Sequence, residues 1–463
     1  MNDQTAPAST PWVPKTTPRM VVLATLGFGV VLFVALFGGI LFLAPLVKPE
    51  MIGALVRSMG HDPATWPLTG LVYAGAMALL GLLILTFAAV MSGSTVWWEM
   101  RVSSRMQSRI GYNRAGAGGF LQWIADAVKL LFKEDLIPAD ADALLFRSAP
   151  YFVFVGFALI FVALPFGESA IAADMNVGIF YITAITAFIV VGILLAGWSS
   201  NSKWALFGGM RSAAQVISYE IPAGIGAMIP VLMAGTLSMQ GIIRAQGAWP
   251  WQWFIFTNPF ALIGFLVFFI GQLAESNRPP FDLPEAESEL VAGYLSEYSG
   301  FRFAIYFLVE FANVWVMSAI AVTLFFGGWQ VPFLSAEDFA AARGAADSFP
   351  PAKWWLFQVL SMAVFVGKVV VMQNLVIWIR WTLPRIRVDQ MMNLCWKYLV
   401  PAGFLAFVAT LLWQVLVARF PMAALASGVA LTALFVLLTV IFVRQSMRNI
   451  SLVVGDRVDL SNW

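Results

Sequence analysis

The residues best suited to chemistry lie between Ala274 and Ser299, in the segment AESNRPPFDLPEAESELVAGYLSEYS. Six of the chain's 25 acidic residues fall in these 26 positions, opposed by the single arginine Arg278. Long apolar runs flank the segment, so its carboxylates lie beside a hydrophobic core. Such a cluster of carboxylates can exchange protons, bind cations or bind a docking partner. The six acids are Glu275, Asp282, Glu285, Glu287, Glu289 and Glu297.

The prolines of this acidic segment predict a bent entry followed by a short helix from about Glu285. On such a helix Glu285 and Glu289 share one face, whereas Glu287 points elsewhere. The alternative is a merely solvated acidic loop. The segment is also rich in apolar and aromatic side chains, which a solvated loop does not need. These are Phe281, Leu283, Leu290, Val291, Tyr294 and Leu295.

Four ionisable residues lie inside or at the ends of apolar runs: Glu220, Glu275, Glu310 and Lys368. Charge at membrane depth is costly, so such residues are functional candidates by default. A carboxyl group shielded from water there can exchange a proton near neutral pH, which predicts a proton relay. Two alternatives stay open. Glu220 and Glu275 could extend into water at the membrane surface, and Glu310 and Lys368 could form a structural ion pair.

The composition places these residues in a membrane protein. Hydrophobic residues make up 60% of the chain, charged residues 11%, and the mean hydropathy is +0.82. A spanning helix needs roughly 20 apolar residues, and the fold class predicted is all-α with about ten transmembrane helices. The candidates are 21–47, 69–97, 149–166, 177–198, 216–236, 258–274, 305–329, 354–379, 399–418 and 421–443.

The loops between these spans predict the orientation. With both termini in the cytoplasm, 20 Lys/Arg residues lie on the cytoplasmic side and six on the other side, as the positive-inside rule requires. The acidic segment is then cytoplasmic. In the polar interval 98–148, GGFLQWIADAVKLLFKED places apolar residues at helical spacing and predicts an amphipathic helix at the interface. The arginines of WEMRVSSRMQSRIGYNR before it could anchor headgroups or form a cationic surface for a partner or anionic ligand.

One cysteine, Cys395, and one histidine, His61, restrict the cofactors. Iron–sulfur clusters need several thiolates, and haem or zinc usually needs His or Cys. The chain also has no P-loop or dinucleotide-binding glycine motif. We therefore expect no metal, haem, flavin or iron–sulfur cluster in this chain, and any electrons to travel through other subunits. Nothing indicates nucleic acid.

Four long motifs in one order make the sequence similar to a known family. AESNRPPFDLPEAESELVAGYLSEYSG resembles the signature loop of the H-type membrane subunit of bacterial respiratory complex I, the NADH:quinone oxidoreductase. WEMR…RMQSRIGYNRAGAGGFLQWIADAVKLLFKE, LLAGWSSNSKWALFGGMRSAAQVISYEIP and IRWTLPRIRVDQMMNLCWKYLVP resemble the family's other cytoplasmic loops. The resemblance covers roughly residues 69–418.

The resemblance implies a subunit that forms the entrance and membrane-facing wall of a quinone chamber and links quinone reduction to proton pumping. Quinone is then the substrate, bound at the interface with partner subunits. The positions that match the chamber and its entrance are Glu99, Arg101, Arg109, Asp126, Arg278, Phe281, Asp282, Arg380, Arg385 and Arg387. Those that match the coupling path are Glu220, Glu275 and Glu310 in the membrane and Glu285, Glu287, Glu289 and Glu297 in the loop. Lys368 joins this path by its predicted depth.

The family has an eight-helix core, so this chain is expected to add one helix at each end. The expected organisation is a polar tail (1–20), an additional helix and loop (21–68), the core (69–418) and an additional helix with a cytoplasmic tail (419–463). The implied partners are the 49-kDa-type quinone-site subunit, the small iron–sulfur subunit, the adjacent small membrane subunits, the antiporter-like subunits and lipid of the bacterial inner membrane. The alternatives are the related anchor subunit of a membrane-bound hydrogenase or formate hydrogenlyase and, from another class, a stand-alone ion transporter.

Overall fold

The computed structural model describes residues 69–284, 287–334, 352–420 and 422–454, with scattered positions between 35 and 62 and between 338 and 342. Within these ranges the chain is helical and contains no strand. The helices, numbered along this part of the chain, are α1 (Thr69–Met106), α2 (Gln122–Phe132), α3 (Ala143–Ala163), α4 (Gly178–Ser199), α5 (Lys203–Ala234), α6 (Met239–Ala245), α7 (Phe254–Thr257), α8 (Pro259–Glu275), α9 (Glu287–Leu290), α10 (Gly300–Phe325), α11 (Ala352–Thr382), α12 (Val388–Asn393), α13 (Val400–Arg419) and α14 (Met422–Val454).

Among the described residues, seven helical stretches are long and apolar enough to cross a membrane, and α8 and Ala426–Leu438 are shorter apolar helices. The eight spans predicted between 69 and 418 all coincide with helices, which confirms the all-α integral membrane fold. The span predicted at 421–443 overlaps α14, which begins at Met422, and the one predicted at 21–47 lies mostly outside the described residues. The seven stretches are Thr69–Met106, Ala143–Ala163, Gly178–Ser199, Lys203–Ala234, Gly300–Phe325, Lys353–Thr382 and Val388–Arg419.

Two stretches with the character of loops in the sequence are helical in the structure. α1 continues to Met106, past its predicted end at 97, and α5 begins at Lys203 rather than near 216. Isolated polar residues do not interrupt backbone hydrogen bonding, so composition alone places such helix ends too early or too late. In α5 the polar side chains of Ser212 and Gln215 are buried. The extension brings Gln215 against the acidic segment.

α10 is the central helix of the bundle, and 78% of its apolar stretch is buried. A helix that is apolar on all sides is stable only when other helices surround it. At its middle the buried indole of Trp315 packs against the rings of Phe87, Phe161, Phe166 and Phe365, with centroids 5.6–6.5 Å away. α10 therefore positions any group it carries against α1, α3 and α11.

The predicted amphipathic helix is present as α2 and has no fully buried residue. Its Trp123 packs on Gly93 of α1, and Phe120 just before it contacts Trp97 edge-on at 5.3 Å. The apolar side chains of Leu131 and Phe132 remain exposed. This half-covered apolar face suits a helix that lies along the surface of the bundle at the membrane interface.

Candidate functional site

Where the structure describes it, the acidic segment is a packed loop and not a solvated one. Phe281, Leu283, Leu290, Tyr294 and Leu295 are all buried. The predicted short helix is present as α9 and is followed by a 3₁₀ turn at Gly293–Leu295. Glu285 lies outside the described residues, as does the side chain of Glu287, so the face shared by Glu285 and Glu289 stays a prediction.

A single amide fixes the start of this loop. The buried Gln215 of α5 donates from Nε2 to the carbonyl oxygens of Ala274 (2.8 Å) and Phe281 (2.7 Å) and to Oδ1 of Asn277 (3.3 Å). Asn277 has a left-handed backbone (φ 51°), a conformation that asparagine tolerates better than most residues. The chain thus reverses directly after α8 and returns Arg278 to the bundle.

Arg278 and Glu310 form a buried ion pair. Nη2 of Arg278 lies 3.0 Å from Oε1 of Glu310, and their side chains are 2% and 13% exposed. The guanidinium also lies over the ring of Phe311, 4.0 Å from its centroid. The alternative of a Glu310–Lys368 ion pair is therefore wrong, because Arg278 takes that place beside Glu310.

Two further ion pairs lie next to the first. Arg380 of α11 pairs with the buried Glu99 of α1, and Arg385 pairs with Asp282 at 3.5 Å. Arg380 also interacts electrostatically with Arg278, Asp282 and Glu310, so the three pairs form one group. This group meets α10 at Glu310, in the N-terminal half of the helix, and we call it the charged end of α10; its members are Glu99, Arg278, Asp282, Glu310, Arg380 and Arg385.

Asp282 is the carboxylate of the charged end that lies in a loop. Burial, the largest cause, together with the nearby carboxylate of Glu310 raises the pKa of its carboxyl group from 3.8 to about 6. Arg385, Arg380 and Arg278 act in the opposite direction but do not cancel the effect of burial. A proton can therefore exchange at Asp282 close to physiological pH.

Glu220 of α5 and Glu275 of α8 come together at a second place. Glu220 acts electrostatically on Glu275, and both line a narrow cavity of about 30 Å³ with Thr183 and Gln272. Gln272 donates to Oε2 of Glu275 at 2.8 Å. A cavity of this size with polar groups in its wall has room for about one or two water molecules. Two carboxyl groups on such a cavity can pass a proton.

A larger cavity of about 470 Å³ lies under α2, between α1, α3 and α10. Its wall is mostly apolar and includes Trp123, Tyr151, Phe154 and Phe301, and Asp126 supplies the one carboxylate. Its volume is within the range of small-molecule sites, which are typically about 300–1,000 Å³. The cavity suits an apolar ligand that enters from the membrane.

Lys368 lies away from the glutamates. Its Nζ donates to the carbonyl oxygens of Phe326 (2.9 Å), Gly328 (3.0 Å) and Gln330 (3.4 Å) and lies 4.6 Å from the ring of Trp253. Phe326 is sixteen residues along from Glu310, or roughly 24 Å of helix. Lys368 therefore binds the opposite end of α10.

Three glutamines surround this opposite end. Gln246 donates to the carbonyls of Thr323 (3.0 Å) and Leu324 (3.3 Å) and accepts from the N–H of Gly327 (2.8 Å). Gln330 donates to the carbonyls of Ile243 and Gln246, and Gln240 accepts from the indole of Trp329 at 2.9 Å. We call Gln240, Gln246, Gln330 and Lys368 the glutamine end of α10.

The remaining predicted site residues lie outside both cavities or at their edges. Arg211 pairs with the exposed Glu289 at 2.7 Å, and Glu297 is partly buried in the loop. Arg101 lies over Trp97, and the exposed Arg109 donates to Gln107. Arg387 is the exposed residue at the start of α12, and Phe281 packs on Tyr219 with centroids 5.3 Å apart.

Sequence reasoning missed Gln215, Tyr219 and the three glutamines of the glutamine end. A signal existed for the glutamines, because each is an amide next to an apolar run, and a buried amide must find partners. The sequence could not name those partners, since most are backbone carbonyls.

Comparison with known proteins gives one consistent result. Residues 78–411 match the family model described as NADH dehydrogenase. The chain is 70% identical over 415 residues to the NADH-quinone oxidoreductase H subunit of Anaeromyxobacter dehalogenans, covering 89% of this chain and 100% of that protein. It is 47% identical to the corresponding H subunit of Chlorobaculum tepidum, covering 76% and 94%. It is 45% identical to NADH-quinone oxidoreductase subunit 8 of Rhodothermus marinus, covering 70% and 93%.

Proposed function

The chain belongs to the family of H-type membrane subunits of NADH-quinone oxidoreductase, and from this premise we propose that it forms the membrane-facing wall of a quinone chamber and transmits quinone reduction to proton pumping. The observation that carries the proposal is the charged end of α10. Six charged residues from two loops and three helices converge there, within a chain in which only 11% of residues are charged.

The cavity under α2 is the proposed quinone entrance. Its apolar wall suits an isoprenoid tail, and its position beneath an interfacial helix gives access from the bilayer. Asp126 is the proposed polar contact near the entrance, and Arg101 and Arg109 are proposed to attract the partner surface that completes the chamber. Phe281 and Asp282 are proposed to face the inner part of the chamber, with Arg385 and Arg387 beside them.

The proposed coupling path runs from the charged end to the cavity between Glu220 and Glu275. Asp282 and Glu310 interact electrostatically, so a change of charge at the quinone alters the Arg278–Glu310 pair. Moving a proton against 100 mV costs about 2.3 kcal/mol, which reduction chemistry in partner subunits must supply. Glu285, Glu287, Glu289 and Glu297 are proposed to complete this path along the loop.

The proposed setting is the bacterial inner membrane, with both termini in the cytoplasm. The acidic loop and α2 then face the peripheral subunits, namely the 49-kDa-type subunit and the small iron–sulfur subunit. The Glu220–Glu275 cavity faces the small membrane subunits and, beyond them, the antiporter-like subunits. The names of the relatives favour this assembly over the hydrogenase anchor and the stand-alone transporter.

Glu310→Gln tests the proposal in the assembled complex. The amide keeps the size of the side chain but removes the charge that pairs with Arg278. Per assembled complex, quantified on native gels, we expect NADH-driven quinone reduction and proton uptake by inverted membrane vesicles to fall at least about ten-fold. Glu168→Gln is the matched control, because Glu168 contacts Arg244 away from the charged end. Normal coupled turnover in Glu310→Gln would refute the proposed role of the charged end.

A further inference from the structure

α5 contains a proline beside one of its functional candidates. Pro222 has no N–H, so the carbonyl of Ser218, four residues earlier, loses its helical donor. A buried carbonyl without a donor is costly. In this chain the thiol of Cys395 supplies the donor, with Sγ 3.1 Å from the oxygen of Ser218. Cys395 is fully buried and is the chain's one cysteine.

The next residue of α5 is held by the same neighbouring segment. The hydroxyl of Tyr219 donates to the carbonyl of Met391 at 2.9 Å, and its ring packs on Phe281 of the acidic loop. Glu220 then follows and lines the cavity with Glu275. Residues 391–395 therefore bind the two residues that directly precede Glu220.

This neighbouring segment has an unusual backbone. Leu394–Leu399 forms a π-helical turn, in which the N–H of Val400 bonds to the carbonyl of Cys395, five residues earlier. Pro401 follows and has no N–H to donate, so a regular α-helical pattern is interrupted at that point. Short π-helical turns often occur at functional sites.

The segment is also continuous with the charged end of α10. Arg385 pairs with Asp282, and the N–H of Ile386 donates to the carbonyl of Pro280 at 3.1 Å. From there α12 and the π-helical turn lead to the contacts of Cys395 with α5. One stretch of chain, 385–395, thus contacts the acidic loop at its start and α5 at its end.

We propose that Tyr219 and Cys395 are positioning residues for Glu220. They fix the turn of α5 that precedes Pro222 to the segment 385–395, so that a displacement of this segment at the acidic loop changes the position of Glu220 against Glu275. The inference rests on the proposed function, because Glu220 has a coupling role only there. It adds a mechanical link between the charged end and the cavity, which are otherwise separate groups of residues.

The test uses the assembled complex in inverted membrane vesicles, with NADH-driven quinone reduction and proton uptake measured together. Cys395→Ala removes the thiol donor and Tyr219→Phe removes the hydroxyl donor, whereas Cys395→Ser keeps a donor of similar size. We expect the number of protons taken up per quinone reduced to fall about two-fold in the alanine and phenylalanine variants. The serine variant is expected to match the unmodified enzyme.

A purely structural role predicts a different result, since a loss of folded complex lowers both rates and leaves their ratio unchanged. An unchanged ratio in Cys395→Ala and Tyr219→Phe, with a lowered ratio in Glu220→Gln, would overturn this inference and leave the proposed function standing. An unchanged ratio in Glu220→Gln would overturn both. In the double variant Cys395→Ala, Glu220→Gln we expect the ratio of Glu220→Gln alone. A further additive loss would also overturn the inference.

Discussion

The N-terminal half and the C-terminal end of α10 are held by different chemistry. The charged end is held by three pairs of opposite charges, whereas the glutamine end is held by neutral amides and one ammonium group that bind backbone carbonyls. Ion pairs change when a proton or a charged ligand arrives, but amides do not titrate. We therefore propose that α10 is adjustable where the ion pairs hold it and anchored where the glutamine amides and the carbonyl-bound Lys368 hold it.

The contacts at the glutamine end also supply the hydrogen-bond donors that the C-terminus of any α-helix lacks. The last carbonyls of an α-helix have no intrahelical donors and must find others. At the glutamine end Gln246 satisfies Thr323 and Leu324, and Lys368 satisfies Phe326. Lys368 thus stabilises this helix end, and its place in the proton path stays a prediction.

The largest effect is expected from a substitution that breaks an ion pair of the charged end. Arg278→Ala leaves Glu310 buried without its partner, and removing one member of a buried ion pair costs about 3–5 kcal/mol. We expect a large fall in the thermal unfolding temperature of the purified complex. The tryptophan fluorescence of this subunit monitors the unfolding. The double variant Arg278→Ala, Glu310→Gln should recover most of the loss. Arg211→Ala is the control, since Arg211 forms an exposed pair with Glu289. A stable Arg278→Ala variant would contradict the strength assigned to this pair.

The next effect tests the anchor. Lys368→Met leaves three carbonyl oxygens without the donor that they share, at a cost of about 2–3 kcal/mol. We expect a lower unfolding temperature, with an unchanged ratio of protons taken up to quinone reduced. Lys129→Met, on the exposed side of α2, serves as the control. The opposite pattern, normal stability with a lower ratio, would place Lys368 in the proton path and remove the contrast between the two ends.

The smallest effect concerns pH. Burial raises the pKa of Asp282 to about 6, above its ordinary value of 3.8, so the folded protein binds this proton more tightly than the unfolded chain does. The resulting stability is complete below about pH 4 and is lost as the pH rises through 6. Asp282→Asn lacks this dependence, so its stability relative to the unmodified protein should rise by roughly 1–2 kcal/mol between pH 4 and 7. Unfolding temperatures measured between pH 4 and 7 report this difference in stability, with the exposed Asp140→Asn as control. If the curves of Asp282→Asn and the unmodified protein run parallel, Asp282 does not titrate in this pH range.

The helices of the core could be predicted from apolar length, because lipid permits few other structures for such a chain. The C-terminal end of α1 and the N-terminal end of α5 could not be predicted, because helices continue through polar residues that find buried partners. The six members of the charged end were all predicted as site residues, but their pairing was not. Glu99 and Arg380 are 281 positions apart, and no pattern in one sequence states which charges meet across such a separation.

The contacts that depend on backbone groups were beyond prediction for a related reason. Lys368 and Cys395 both bind carbonyl oxygens, which every residue carries and no side-chain pattern marks. Pro222 does indicate a carbonyl in need of a donor, at Ser218, and so the sequence predicts that a donor exists. Which side chain supplies it depends on the packing of α5 against the π-helical turn.

The burial of α10 also determines how the protein responds to its bilayer. Helices in contact with lipid tilt or shift when the hydrocarbon thickness changes. In α12–α13 only 17% of the apolar stretch is buried, whereas α10 has 78% of its own covered by protein. Membranes of different acyl-chain length should therefore tilt the outer helices, while the helix that carries Glu310 keeps its place because its neighbours separate it from the lipid.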